Sequence, residues 1–144
     1  MTKHHINLGI AVATPRGLIV PNVKDAQEMD LRELCRGIRD IAHSARHGTV
    51  TPTDLRGGTF TITNIGIFGV DSGTPIINPG EAAILCLGSV RKQPWVIRDE
   101  LAIRWVTTIG LSFDHRIVDG EEGSKFLADV AATLADPLSL LGRL

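Results

Sequence analysis

The segment LSFDHRIVDG, at positions 111–120, brings four ionisable side chains close together: Asp114, His115, Arg116 and Asp119. His115 follows an apolar, alternating run and precedes a helical pattern, and side chains at such a connection project from a rigid scaffold. Because an imidazole titrates near neutral pH, His115 could accept a proton from a hydroxyl or a thiol. A histidine that only hydrogen-bonds a carbonyl group at a strand end is the competing interpretation, and residue chemistry leaves both open.

The neighbours of His115 also have structural explanations. Asp119 and Glu122 have the spacing of a helix N-cap and the third helical residue. Asp114 and Arg116 predict a surface ion pair. The segment therefore predicts a strand, a tight connection and a helix that begins at about residue 120.

Hydrophobic periodicity predicts the elements that must hold this segment in place. Residues 6–12 and 18–23 are typical of two strands joined by a tight turn. Asp30 and Glu33 have the spacing of a capping box, and the helical pattern that follows ends at Gly48. This part of the chain therefore predicts a β-hairpin followed by an amphipathic helix.

Three later stretches predict strands. In residues 59–64 threonines alternate with apolar residues, so we expect the apolar side chains to face the core and the threonines to share the other face. Residues 81–90 are apolar at both odd and even positions, as in a central strand buried on two faces. Residues 101–113 alternate over a length of roughly 43 Å, which predicts a strand that extends beyond its own subunit.

Composition excludes several classes of protein. The chain has 144 residues, with 15 basic and 16 acidic side chains, so its charge does not favour nucleic acid or acidic lipid. No apolar run approaches the roughly 20 residues that span a bilayer. Cys35 and Cys86 lie among apolar residues, which predicts buried, reduced thiols and no disulfide.

Other residues that could do chemistry have simpler explanations. His43 and His47 have metal-ligand spacing on a helix, but they share its polar face and lack the glutamate of an H-E-x-x-H motif, so we expect a solvated pair and no metal site. Trp95 and Trp105 occupy strand positions and are interpreted as packing residues.

Five segments resemble one family along nearly the whole chain. DHRIVDG is similar to the DHRxxDG signature of the dihydrolipoamide acyltransferases of 2-oxoacid dehydrogenase complexes. GIAVATPRGLIVPNVKDA, LRGGTFTITNIGIFG, TPIINPGEAAILCLGSV and ADPLSLL resemble further segments of that family in the same order. The resemblance implies an α/β fold of the chloramphenicol acetyltransferase type, with a mixed sheet flanked by helices. It implies that residues 1–144 form the C-terminal portion of the catalytic domain, with the N-terminal part missing and no lipoyl or peripheral-subunit-binding domain.

The same resemblance implies roles for individual residues. His115 matches the catalytic base, Thr63 matches the hydroxyl that stabilises the oxyanion, and Asp119 matches an aspartate that holds the site in shape. Four residues match the wall of the CoA tunnel: Asn64, Ile67, Gly88 and Val90. Plain core packing explains Ile67 and Val90 equally well, whereas at Gly88 the lack of a Cβ would let pantetheine approach the backbone.

The family further implies cofactors and partners. These are CoA and lipoamide, the latter carried by a lipoyl domain absent from this chain. We expect homotrimers in which His115 and Thr63 of adjacent subunits meet, and these trimers build a cubic or dodecahedral core. The implied partners are lipoyl domains and the decarboxylase and dihydrolipoamide dehydrogenase components. The expected location is the bacterial cytoplasm or the mitochondrial matrix. The loop GVDSGTPIINPGE most resembles branched-chain members. Two alternatives remain: a non-catalytic fragment that only assembles the core, and an antibiotic-type O-acetyltransferase.

Overall fold

A computed structural model describes residues 4–142 of the chain. Within that range the strands and α-helices are, in order, β1 Leu8–Ile10, β2 Val12–Thr14, β3 Gly17–Ile19, β4 Asn22–Val23, α1 Leu31–His47, β5 Phe60–Asn64, β6 Ala83–Leu87, β7 Arg91–Ile97, β8 Glu100–Val106, β9 Ile109–Phe113 and α2 Gly120–Ala135. Short 3-10 helices lie at Ala26–Glu28, Gly66–Phe68 and Pro137–Gly142.

A five-stranded sheet, in the order β4-β1-β5-β6-β9, forms the centre of the molecule. Strands β1, β5 and β6 run parallel, and the outer strands β4 and β9 are antiparallel to their neighbours. Helix α1 packs on the β1, β2 and β4 side, and α2 packs on β9. The expected α/β class, a mixed sheet flanked by helices, is confirmed.

Local capping determines where α1 begins and ends. Asp30 Oδ1 accepts a hydrogen bond from the Glu33 amide at 2.7 Å, and Glu33 Oε2 accepts one from the Asp30 amide at 2.9 Å. The helix ends at Gly48, whose φ of 71° lies in the left-handed region that glycine adopts without strain. The predicted capping box and the predicted end of the helix are both confirmed.

The predicted β-hairpin at the start of the chain is correct in its turn but wrong in the length of its strands. β2 and β3 pair across a turn at Pro15 and Arg16, as expected. The backbone then changes partners, since the Ala11 amide donates to the Ile62 carbonyl at 3.0 Å and the Ile10 amide donates to the Pro21 carbonyl at 2.8 Å. Each expected strand is therefore divided into two short ones.

The central strand β6 is buried along four of its five residues, as predicted. The expectation that the threonine face of β5 lies away from the core is wrong at Thr61, which is 0% exposed. Its hydroxyl donates to Glu81 Oε2 at 2.6 Å and accepts from Asn78 Nδ2 at 3.0 Å. A threonine can lie in the core here because both partners satisfy its hydroxyl.

The single strand expected over residues 101–113 is also wrong, because two strands occupy it. β8 pairs with β7, whereas β9 pairs with β6. Between them, the Thr107 hydroxyl donates to the Gly88 carbonyl at 3.1 Å, and the Gly88 amide donates to the Thr108 carbonyl at 2.9 Å. These two bonds fix the interruption to the end of β6, so β7 and β8 leave the sheet there as a separate hairpin.

The hairpin has a two-residue turn at Arg98 and Asp99, whose φ values of 51° and 62° are typical of a type I′ turn. Its pairing register places five apolar side chains on one face, which we call the hairpin stripe: Pro94, Val96, Leu101, Ile103 and Trp105. The predicted alternation is thus confirmed, yet Leu101 is 75% exposed and Trp105 67% exposed. The prediction that Trp95 and Trp105 pack within the chain is wrong, since both are exposed.

Of the two cysteines, Cys86 is buried as expected and Cys35 is exposed, which corrects the prediction for that residue. Both thiols are free. Within residues 4–142, no helix combines the length and the apolar character that crossing a membrane requires.

Candidate functional site

A tight turn after β9 presents His115 to solvent. The Asp114 amide donates to the Ala82 carbonyl at 2.9 Å, which extends the pairing of β9 with β6 by one residue. The Asp114 carbonyl then accepts hydrogen bonds from the amides of Ile117, at 2.9 Å, and Val118, at 3.0 Å. His115 lies on the outside of this turn with an exposed side chain, and its ring centroid is 5.9 Å from that of Phe113. A fixed backbone thus carries an accessible imidazole.

The predicted ion pair between Asp114 and Arg116, the two residues that flank His115 in the sequence, is confirmed. Arg116 Nη2 lies 2.6 Å from Asp114 Oδ2, Arg116 Nε lies 2.9 Å from Oδ1, and the Arg116 amide donates to Oδ1 at 3.0 Å. These side-chain and backbone hydrogen bonds from Arg116 lower the pKa of Asp114 to about 2. The turn therefore keeps its ion pair through the pH range in which an imidazole titrates.

Asp119 forms the N-cap of α2, as its spacing predicts. Its Oδ1 accepts a hydrogen bond from the Glu122 amide at 2.8 Å. This cap fixes the start of the helix at Gly120, five residues after His115, so the turn is held at one end by a strand and at the other by a helix. The further role that the family resemblance implies for Asp119 stays a prediction.

Thr63 lies at the end of the sheet opposite to His115. It is the fourth residue of β5, is partly buried and lies opposite Cys86 of β6. The carboxyl ends of the parallel strands meet here, which is where open α/β sheets bind their ligands. Thr63 is therefore well placed to contact a bound molecule.

The four predicted CoA contacts lie at or just after the carboxyl ends of β5 and β6, the end of the sheet at which Thr63 lies. The Ile65 amide donates to the Leu87 carbonyl at 3.0 Å, and this bond joins the segment after β5 to the end of β6. Asn64 Oδ1 accepts from the Gly66 amide at 3.0 Å. Ile67 is 71% exposed and Val90 63% exposed, so packing in the core of the single chain explains neither of them.

The reason given for glycine at position 88 is wrong. A Cβ at Gly88 would overlap the Asp71 carbonyl oxygen and would lie 2.9 Å from the Thr108 carbonyl oxygen. The space beside Gly88 is thus filled by the chain's own backbone. Glycine is required here for close packing of two segments against the end of β6, whatever ligand lies nearby.

His115 and Thr63 are not brought together within one chain. Thr63 lies opposite Cys86, and Cys86 lies opposite Gly110. His115 follows β9, which continues for three residues beyond Gly110, or roughly 10 Å along the strand. The two side chains therefore lie towards opposite ends of the sheet, too far apart to act on one carbonyl group.

An open apolar cleft of about 970 Å³ lies between the sheet and α2, and the sequence analysis missed it. Its lining includes Leu8, Phe60, Leu111, Phe113 and Phe126, together with Ile117 and Val118 of the turn that carries His115. Phe60 and Phe126 meet edge to face at 5.8 Å. The alternating apolar residues of β5 and β9 indicate apolar faces on these strands. Only the fold shows that the two faces line one cleft beside the turn that carries His115.

His43 and His47 do not form a metal centre with other residues. Their rings stack at 4.0 Å on the exposed face of α1, and His47 Nδ1 lies 2.9 Å from the His43 carbonyl oxygen. Across the part of the chain that the structure describes, no three histidine, cysteine, aspartate or glutamate side chains group as metal ligands.

Known proteins resemble this chain over almost its whole length. The family model described as 2-oxoacid dehydrogenases acyltransferase (catalytic domain) matches residues 1–142. The chain is 44% identical to the dihydrolipoyllysine-residue acetyltransferase component of the pyruvate dehydrogenase complex of Acholeplasma laidlawii. It is 42% identical to the dihydrolipoyllysine-residue succinyltransferase component of the 2-oxoglutarate dehydrogenase complex of Bartonella vinsonii subsp. berkhoffii. Each match covers 96% of this chain but only 26% and 34% of the respective relative.

Among solved structures, the dihydrolipoamide acetyltransferase of Azotobacter vinelandii matches with a TM-score of 0.89 and 31% identity. The match covers 98% of this chain and 58% of that one. That relative was the subject of crystallographic and enzymatic investigations on the roles of a serine, a histidine and an asparagine in its catalytic mechanism. The intervals between those three residues equal the intervals between Thr63, His115 and Asp119.

Proposed function

The chain belongs to the family of 2-oxoacid dehydrogenase acyltransferase catalytic domains, and from that premise we propose that it transfers an acyl group between a dihydrolipoyl group and CoA. The observation that carries the proposal is the exposed imidazole of His115, held on a rigid turn at the same interval from Thr63 as the histidine and serine of the Azotobacter enzyme. Such spacing over a shared fold supports equivalent roles.

His115 acts as the general base in this proposal. Its neutral imidazole takes the proton of the CoA thiol, and the thiolate attacks the thioester carbonyl carbon of the acylated dihydrolipoyl group. A carbon–sulfur bond to CoA forms, and the carbonyl oxygen becomes an oxyanion. When the oxyanion collapses, the bond to the dihydrolipoyl sulfur breaks, and that sulfur receives the proton from His115.

Thr63 stabilises the oxyanion by donating a hydrogen bond from its hydroxyl. One such donor is worth about 3 to 4 kcal/mol of the barrier. Asp119 holds the start of α2 and with it the turn that carries His115. Because the Azotobacter enzyme has an asparagine at the matching interval, a side chain that accepts hydrogen bonds, with or without charge, meets this positioning role.

The active site is shared between two copies of the chain in this proposal. Two observations support a homotrimer: the separation of His115 from Thr63 within one chain, and the solvent exposure of the hairpin stripe. An isolated two-stranded ribbon is marginally stable in water, so the apolar stripe gains most by packing on a neighbour. We further propose that such trimers build a larger core. Lipoyl domains and the decarboxylase and dihydrolipoamide dehydrogenase components bind to this core in the proposal.

CoA binds in this proposal at the carboxyl ends of β5 and β6, along Asn64, Ile67, Gly88 and Val90. The exposure of Ile67 and Val90 supports this placement, because it leaves apolar surface free for pantetheine. The acyl group is proposed to be branched-chain, on the resemblance of the loop at residues 69–81, although the two relatives named above are acetyl- and succinyltransferases. Rates with isobutyryl-CoA, acetyl-CoA and succinyl-CoA as donors to dihydrolipoamide distinguish the three.

The substitution His115→Ala tests the proposed chemistry. In the assembled protein that contains this sequence, we expect the rate of acyl transfer from acyl-CoA to dihydrolipoamide to fall by about 10²- to 10⁴-fold, the usual contribution of a general base. His43→Ala, which removes an exposed histidine from α1, is the matched control and should leave the rate unchanged. Full activity of the His115→Ala protein would show that the proposed base is wrong.

A module that assembles the core without catalysis is an alternative that the separation of His115 from Thr63 within one chain favours. The chain spans 58% of the Azotobacter structure and 26% and 34% of the two curated relatives. Transfer to dihydrolipoamide by the 144-residue chain alone would exclude this alternative. Including chloramphenicol among the acceptors tests the antibiotic-type enzyme in the same assay.

A further inference from the structure

Three segments of backbone meet where β6 ends, and they pack more closely than side chains would allow. A Cβ at Gly66 would lie 2.6 Å from the Gly88 carbonyl carbon and 2.7 Å from the Ser89 Cα. The Ser89 amide donates to the Val70 carbonyl at 2.9 Å. Residues 66–71, residues 87–91 and Thr107–Thr108 therefore form one junction, from which the hairpin of β7 and β8 departs.

A cluster of polar side chains closes this junction, and we call Asp71, Ser89 and Arg91 the junction clamp. Arg91 Nε lies 2.8 Å from Asp71 Oδ1 and donates to the Ser89 hydroxyl at 2.8 Å. The Ser89 hydroxyl in turn donates to Asp71 Oδ1, and Arg91 Nη2 donates to the Gly69 carbonyl. Arg91, the first residue of β7, thus contacts both ends of the three-residue segment 69–71.

The burial of these residues indicates that the clamp is more than a surface ion pair. Ser89 is 8% exposed, whereas the side chains of Asp71 and Arg91 are about half exposed. A buried hydroxyl between two charged groups imposes one geometry on both, because each partner depends on the same oxygen. By contrast, the exposed pair on α1 is joined by a hydrogen bond of 3.3 Å from Arg39 Nε directly to Asp40 Oδ1.

The junction clamp lies next to the residues that the proposed function assigns to CoA. Val90 stands between Ser89 and Arg91, and Gly88 immediately precedes them. The bond from the Ile65 amide to the Leu87 carbonyl connects the junction to the strand that carries Thr63. A shift of residues 88–90 would therefore change the space beside Thr63 and the direction in which the hairpin leaves the sheet.

We propose that Asp71, Ser89 and Arg91 are positioning residues, which hold the CoA-facing segment 88–90 and the base of the hairpin in register with Thr63. The part that concerns CoA rests on the proposed function. The part that concerns the junction rests only on the contacts above. Misplacement of a binding wall by about 1 Å can reduce an enzyme's efficiency by as much as 10²-fold, so a modest clamp can have a large effect.

The test compares Arg91→Gln and Asp71→Asn with Arg39→Gln, which removes an exposed ion pair on α1 and serves as the matched control. All variants are studied in the assembled protein. For the two clamp variants we expect KM for CoA to rise by about tenfold, with kcat within about twofold of the parent protein. Arg91→Lys keeps the charge but not the two-sided contact, so its KM should fall between those of the parent and Arg91→Gln.

Hydrogen exchange provides a second readout that does not depend on activity. We expect the Ser89 amide, bonded to Val70, to exchange about tenfold faster in Arg91→Gln, with the amides of β6 and the melting temperature unchanged. If the parent protein transfers no acyl group to or from CoA, the proposed function fails, while the exchange result still decides whether the clamp exists. Exchange and KM values equal to those of Arg39→Gln would overturn the proposal. So would faster exchange throughout β6 together with a lower melting temperature, since that is the signature of a general loss of stability.

Discussion

Substituting valine for Thr61 and, separately, for Thr63 distinguishes a role in stability from a role in catalysis on the same strand. The two side chains lie two residues apart on β5 and so point to the same face of the sheet. Thr61 is fully buried between Glu81 and Asn78, whereas Thr63 is partly buried near the carboxyl end of the strand. Valine has nearly the shape of threonine but lacks the hydroxyl, so each substitution removes mainly that one group.

Thr61→Val should lower the free energy of unfolding. It removes the 2.6 Å bond to the Glu81 carboxylate and the bond from Asn78, and leaves both partners without this hydroxyl. Hydrogen bonds to charged groups contribute about 1.5 to 3 kcal/mol, and Glu81 is only partly buried, so about 2 kcal/mol is expected. For a chain of this size that corresponds to a fall in melting temperature of about 4 to 8 °C. The kcat per folded site should stay within about twofold.

Thr63→Val should have the opposite profile. Loss of one oxyanion donor lowers kcat by about 10²- to 10³-fold, and the melting temperature should change by less than about 2 °C. Calorimetric melting and acyl transfer from acyl-CoA to dihydrolipoamide, measured on the same preparations, provide both values. Equal kcat values for Thr63→Val and the parent would refute the oxyanion role. An unchanged melting temperature for Thr61→Val would refute the interpretation of the buried network.

Two further predictions follow from charge and from exposed apolar surface. Hydrogen bonds from Arg116 lower the pKa of Asp114 from 3.8 to about 2, so the stability gained from the ionised carboxylate is complete above about pH 4 and is lost as the pH falls towards 2. The urea midpoints of the parent and of Asp114→Asn should therefore differ at pH 6 and converge near pH 2, and a difference that grows on acidification would contradict this sign. Ile103→Glu places a charge in the hairpin stripe and should convert the proposed trimer to monomers in sedimentation velocity, whereas Arg104→Glu, on the opposite face of β8, should leave the oligomer intact. Identical sedimentation of both variants would show that the stripe is not the interface.

The features that were predictable from the sequence depend on residues close together in the chain. The caps of α1 and α2 are examples, since Asp30 with Glu33 and Asp119 with Glu122 satisfy helix amides three residues away. The Asp114–Arg116 pair and the turn between β2 and β3 are equally local. In each case the partner lies within the window that a pattern of spacing can describe.

The errors concern contacts between distant parts of the chain. The burial of Thr61 depends on Glu81, which lies twenty residues away in an irregular loop, so alternation in β5 alone placed the core on the wrong face for this residue. The break after β8 depends on hydrogen bonds to Gly88. The separation of His115 from Thr63 within one chain is not an error, because the resemblance implied that adjacent subunits supply the two side chains, but only the register of three strands shows how far apart they lie. Family resemblance identified both residues but could not show their distance within one chain.

The opposite placement of His115 and Thr63 on the sheet has a genetic consequence under the proposed function. If a site combines the base of one copy with the hydroxyl of its neighbour, two differently defective subunits can complement each other. Consider two alleles whose products are each inactive alone, one because it lacks the imidazole and the other because it lacks the hydroxyl. Expressed together, they would form mixed assemblies in which some subunit interfaces contain both intact groups. Heterozygous combinations would then retain part of the activity that either allele has lost.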